Sequence, residues 1–279
     1  MKKSILTIGV ALIATIIFTS CKKENEIKSL ETPKYEKNFT CSKGSSLDLA
    51  LLHNKMVAEM YNQVDFSDST KARDMIWNNY CKNISIDPLI FEELKMSRDS
   101  FNLLSQFVYK EVSDCQFDIR KSVKYSMYGT KVFSYLNQLL SVADMFNENS
   151  TAKDMIGQVS EIKKTASSNL SGNDLVFVLS VADVLTGSIQ LWLPLDMGGN
   201  GYIDLLNNEP HNKGKLTARQ KEVIGAALIA DASSMAIGLQ VTAWTALVTG
   251  GSLAPAALVA TCVEAALGSA FSAVVAWFD

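Results

Sequence analysis

Residues 223–278 carry only two charged side chains, Asp231 and Glu264. A helix apolar on every side has no face to leave in water, so it must be enclosed by protein or by lipid. Residues 218–249 read as one such helix. Thr217 and Gln220 have the spacing of a capping box at its start. Gly250, Gly251 and Ser252 make a turn, and Pro255 suits the first turn of a second helix. The two form an αα-hairpin. Small residues recur every fourth position along the first helix: Ala226, Ala230, Ser234, Gly238, Thr242 and Ala246. Ala257, Thr261, Ala265, Ser269 and Ala273 repeat the pattern on the second. Such ridges let helix backbones approach closely. A bulky stripe follows Leu258, Cys262, Leu267, Phe271, Val274 and Phe278.

Three uses of this hairpin are open from sequence. It can be a core wrapped by other helices. It can be a permanent transmembrane pair, since 18 residues at 1.5 Å rise span about 27 Å. Against that, Asp231 and Glu264 would each cost about 2.5–3.5 kcal/mol at mid-depth. Thirdly, its Ala/Gly-rich composition and its length are similar to the hairpin that pore-forming bacteriocins bury inside a helical bundle. That resemblance implies conditional insertion, with Asp231 and Glu264 as pH-sensitive carboxylates whose protonation lowers the insertion cost. In a core, each carboxylate is expected to find a hydrogen-bond partner or an edge, because an orphaned buried ion is costly.

Residues 47–193 read as a helical body. Leu51, Leu52, Met56, Met60 and Val64 recur at helical spacing, as do Met75, Ile76 and Tyr80. Asp87-Pro88 has the form of a helix start. Further periodic runs cover 98–113, 118–146 with a break at Gly129, 152–168 and 174–193. Ser150 and Asn173 are the expected caps of the last two. Alternating β-branched runs are scarce, so the fold is expected to be all-α. Residues 194–216 are Gly- and Asn-rich and read as a linker before the hairpin of 217–279.

At the other end, Lys2 and Lys3 precede an apolar run over 5–18, shorter than the about 20 residues that cross a bilayer. It fits the apolar region of a secretory signal, and a plain signal peptide or an uncleaved anchor is the simpler alternative. Phe18-Thr19-Ser20-Cys21 resembles the lipobox of bacterial lipoproteins. The resemblance implies removal of residues 1–20 and acylation of Cys21, which becomes the link to the membrane. Lys22-Lys23-Glu24-Asn25-Glu26 is similar to the surface-export signal of Bacteroidetes-type lipoproteins. Residues 21–46 would be a lipidated flexible tether, whose 25 residues after the cysteine reach about 25–30 Å.

Without residues 1–20 the chain has 24 basic and 29 acidic side chains, a formal charge of −5. That balance argues against nucleic acid, which wants a basic face. Export permits disulfides among Cys41, Cys81, Cys115 and Cys262, and Cys81–Cys115 is the favoured pair. Cys262 suits a small buried hydrophobe. Only His53 and His211 are present and no CxxC occurs, so no metal and no cofactor is expected.

Asp196, Asn200, Gly201 and Ile203 match positions 1, 5, 6 and 8 of a calcium loop. Gly198 and Asn207 fail at positions 3 and 12, so calcium is not supported. Gly214-Lys215-Leu216-Thr217 lacks the features of a phosphate loop. GxSxG and HExxH are absent. Glu92, Glu93 and Asp144 are carboxylates that sequence leaves on solvated faces. His53 reads as a structural histidine.

His53-Asn54 near the start of the body, the run from Ala182 to Trp192 and the Ala/Gly-rich end together resemble Bacteroidetes-type lipoproteins with a helical body. That resemblance implies architecture and address. The expectation is an exported, lipid-anchored envelope or cell-surface protein with a non-catalytic role and an envelope or cell-surface partner. The alternative is a membrane-active effector that uses residues 217–279.

Overall fold

A computed structural model describes residues 48–83, 103, 105–106, 108–110, 113–114, 116–121, 129–207, 215–249 and 255–278. The signal segment, Cys21, the tether, Asp87-Pro88 and Cys115 lie outside them. So does the Cys81–Cys115 pairing.

The described residues are helical, with no strand among them. Eight α-helices are present there: α1 (Leu49–Met60), α2 (Ser69–Asn83), α3 (Thr130–Asp144), α4 (Ala152–Asn169), α5 (Gly172–Trp192), α6 (Ile203–Asn207), α7 (Ala218–Thr249) and α8 (Pro255–Phe278). Among the described residues, the helices α7 and α8 make the most extensive contact, and α1, α2 and α5 pack onto the pair. The hairpin is therefore the centre of the bundle. Its small-residue ridges meet as the sequence predicts. A Cβ on Gly238 would lie 2.5 Å from a methyl of Thr261, and one on Gly268 would lie 2.0 Å from Ser234 Oγ. At the open end of the hairpin Arg219 donates to the carbonyl of Ala276, tying the first turn of α7 to the last of α8.

Helix starts follow side-chain chemistry. Asp48 accepts from the N–H of Leu51 and opens α1. Thr217 and Gln220 form the reciprocal capping box at α7. Two expected caps are corrected. Thr151, not Ser150, caps α4 by accepting from the N–H of Asp154, while the Ser150 hydroxyl accepts from Asn147 in the preceding turn. Ser171, not Asn173, is the N-cap residue of α5, so that helix begins a residue before Asn173. Leu51 is also corrected: it is exposed, and His53 takes an inward place on α1 beside Leu49, Leu52 and Met56.

Within the Gly/Asn-rich segment, residues 194–202 form a built turn. Gly199, Gly201 and Tyr202 donate backbone N–H bonds to Pro194, Leu193 and Leu191, and Asn200 donates to Gln190. These bonds fold the segment back over the end of α5. Gly198 and Gly201 supply the positive φ values, 83° and 74°, that the reversal needs. Asp196 and Asn200 face solvent and Ile203 is buried. Asp144 is likewise not a lone carboxylate. It and Asp118 both bind the guanidinium of Arg120, which links the 3-10 turn Ile119–Lys121 to the end of α3.

Candidate functional site

The two charges of the apolar hairpin mark two buried ionisable centres. At the first, α1 brings His53 against α7. His53 Nε2 lies 3.0 Å from Asp231 Oδ1, with neither side chain exposed. The contact is an ion-pair approach whose alignment falls short of a hydrogen bond. His53 Nδ1 lies 3.1 Å from Asn54 Oδ1. Burial alone would push the imidazole down. The Asp231 carboxylate and Asn54 outweigh it and hold His53 above its ordinary value.

Several polar groups of the surrounding core have local partners. The Cys262 thiol donates to the carbonyl of Leu49 at 3.2 Å, and burial pushes it well above its usual range. That leaves it a poor nucleophile. The Tyr61 hydroxyl donates to the carbonyl of Ala270 at 2.7 Å, and its ring stands edge-on to Trp192. The Trp192 indole donates to Ser269 Oγ at 3.1 Å, fixing α5 to α8.

The second centre is Glu264 on α8, only 2 % exposed. It faces Gly238 on α7: a Cβ there would stand 2.8 Å from Glu264 Oε2. On the other side Tyr80 of α2 donates to the hydroxyl of Ser105, and Ser105 bears on the carboxyl. No cation pairs with Glu264 among the described residues, and neither carboxyl oxygen makes an aligned hydrogen bond there. The expectation that each carboxylate finds a hydrogen-bond partner or an edge is met by neither: Asp231 keeps only the ion-pair approach of His53, and Glu264 has no cation beside it among the described residues, which it tolerates for a different reason. That reason is protonation. Burial pushes Glu264 up to about 8, with Ser105 only partly opposing it. The group sits in the core largely as a neutral acid, which avoids most of the penalty for burying an ion.

His53 as the partner of Asp231 is the site residue that sequence reasoning missed. A signal was present: one inward histidine and one charge in the first apolar helix each needed a partner. Ser105 and Tyr80 carried no such signal. Among the described residues no group of three or more His, Cys, Asp or Glu side chains could hold a metal ion.

Hollows on the surface formed by the described residues include the following. A groove of about 1160 Å³ runs between α3 and α4, with Phe133, Val142, Met145 and Ile162 among polar neighbours. A smaller one of about 420 Å³ lies between Arg73, Trp77, Tyr109 and Phe271. No protein-family model, curated protein or solved structure matches this chain.

Proposed function

We propose that this chain is an exported, lipid-anchored envelope or cell-surface protein with a non-catalytic binding or structural role, attached to its membrane through Cys21. The observation that carries the reading is the enclosure of the hairpin. The most apolar stretch of α8 is 89 % buried, walled in by α1, α2, α5 and α7. A helix already enclosed by protein has no need of lipid to hide its surface. In this reading the attachment falls to the N-terminal cysteine, whose flanking sequence resembles a lipobox. The buried ionisable groups also favour a non-catalytic role, because His53, Asp231 and Glu264 are sealed from any substrate in solution.

Metabolic labelling with an alkynyl fatty acid in a lipoprotein-processing bacterial host tests the reading. The wild-type chain should take up label and sediment with membranes. Cys21→Ser should lose the label and become soluble. Equal labelling of both would remove Cys21 from the account.

A second reading has its own support. The stretches Gly172–Trp192, Ala218–Gln240 and Leu258–Phe278 are each long and apolar enough to cross a membrane. The first of these was not evident as a span from sequence. In that reading residues 217–279 leave the bundle and insert. Glu264 is largely neutral at pH 7, which lowers what a bilayer would have to accept. An acid trigger near pH 5 would then act through the His53–Asp231 pair rather than through Glu264. Dye release from liposomes by the Cys21→Ser protein, from pH 4 to 7.5, separates the two. Silence favours the enclosed hairpin, and release lost on deleting residues 217–279 favours the effector.

A further inference from the structure

Glu264 stands where three helical segments meet. It is carried by α8. Its Oε2 is close enough to Gly238 of α7 that no Cβ fits between them. Ser105 bears on the carboxyl, and Tyr80 of α2 donates to Ser105. These contacts suit a neutral acid. They offer a carboxylate no cation among the described residues and almost no exposure.

We propose that Glu264 is a proton-controlled latch on the hairpin: neutral, it seats α8 against α7 and the Tyr80–Ser105 contact; ionised, it opens that junction to water. Opening is the way an isolated carboxylate in this position regains hydration, since rehydrating it where it sits would require a new cavity. The proton leaves to bulk water and returns from it, and no other bond changes. The side of the junction that yields is the one facing α2 and Ser105. The α7–α8 contact is far more extensive than the α2–α8 contact and holds the hairpin together.

The other ionisable groups around α8 do not take over this role. On α1, His53 is already matched with Asp231 of α7, and the Tyr61 hydroxyl is engaged with Ala270. On α2, burial and the nearby Glu264 hold Tyr80 well above its usual range, so Tyr80 stays neutral through the pH at which Glu264 ionises. Arg73 and Asp74 of α2 lie by Phe271, two helical turns along α8 from Glu264. On α5, Asp183 is engaged with Lys163. Cys262, on α8 itself, is pushed well up by burial. The latch therefore releases toward alkaline pH and closes toward acid, the reverse of an acid-triggered hairpin.

The test is amide hydrogen exchange on the purified full chain between pH 6 and 9, corrected for the base-catalysed intrinsic rate. Protection of the α2 amides around Tyr80 should fall about tenfold between pH 7 and 9 in the wild type, while those of α8 stay protected by the α7 contact. In Glu264→Gln, which keeps the shape and cannot ionise, the α2 protection should stay level. Parallel losses in both proteins, or no loss in the wild type, would overturn the proposal. Should Glu264→Gln fail to fold, the wild type still decides. With carboxyl-labelled glutamate, one resonance in the folded protein should titrate near 8, and a full set titrating near 4.5 would overturn the latch.

Discussion

His53 of α1 and Asp231 of α7 approach to 3.0 Å in the middle of the bundle, with no exposure of either side chain. The pair fixes the register of the first helix against the apolar hairpin, where surrounding contacts are mostly non-directional. Removing one partner strands the other in the core. Asp231→Asn and His53→Ala should each destabilise by about 3–5 kcal/mol, while His53→Leu with Asp231→Leu should recover most of that loss. Urea unfolding of the four proteins gives the comparison. Single variants within about 1 kcal/mol of wild type would mean that the pair carries no charge.

Stability should fall as pH rises above about 5. Glu264 has an ordinary value of 4.5 when unfolded and about 8 when folded. Between those values the native state keeps a proton that the unfolded chain has released. Stability present below 4.5 is therefore lost through that window, by up to about 1.4 kcal/mol per pH unit. His53 has the same sign: its folded value is raised above 6.5, and its contribution disappears as pH climbs through that folded value. Asp118 and Glu148 are lowered by Arg120 and Lys221, and work the other way, losing their contribution in acid. Urea midpoints should peak near pH 5, and Glu264→Gln should flatten the alkaline limb. A wild-type midpoint unchanged from pH 5 to 8 would contradict a neutral buried acid.

The parts of the fold legible in the sequence are those set by local rules. Helical periodicity, the Thr217–Gln220 box, Pro255 at the head of α8 and the four-residue spacing of small residues all act within a few positions. The Ser150 and Asn173 assignments failed within that same range: two adjacent hydroxyl residues compete for the cap of α4, and α5 simply begins at Gly172, ahead of Asn173, with no side-chain cap bond from Ser171. Ser150 serves the preceding turn and leaves the helix to Thr151. The candidate site was half visible. Two charges in an apolar run announce a special environment, yet nothing local pairs Asp231 with His53 or leaves Glu264 facing Ser105. Those relationships come from tertiary packing alone. The built turn after α5 was hidden for a related reason: its composition is that of a loose linker, and its order rests on backbone bonds to residues 190–194.

The capping assignments can be tested directly. Thr217→Ala removes one arm of the box at α7, and Thr151→Ala removes the cap of α4. Each should cost about 1 kcal/mol in urea unfolding. The Thr151 effect should be local, since α4 packs mainly on α3 and α5. Exchange at the first turn of α4 should quicken while α8 stays protected. Loss of protection across the hairpin in Thr151→Ala would mean that α4 is coupled to the core more tightly than its contacts indicate.

Two glycines in helices should respond to the same substitution with opposite signs. At Gly187 in α5 a Cβ would lie 2.8 Å from both the Cα and the carbonyl oxygen of Ala50 in α1. Those are backbone atoms that cannot rotate aside, so α1 and α5 would have to separate. Gly187→Ala should cost about 1–3 kcal/mol as an overpacking change. Moving α1 also moves His53, so the substitution should disturb the His53–Asp231 contact as well. Gly157 in α4 has nothing within 4 Å of its would-be Cβ. There alanine restores helix propensity and restricts the unfolded chain, a gain of about 0.5–1 kcal/mol. Unfolding free energies of the two variants decide the matter. A tolerated Gly187→Ala would show that α1 and α5 are further apart than this packing requires. The anchoring of His53 against Asp231 would then depend on the ion pair itself rather than on close helix approach.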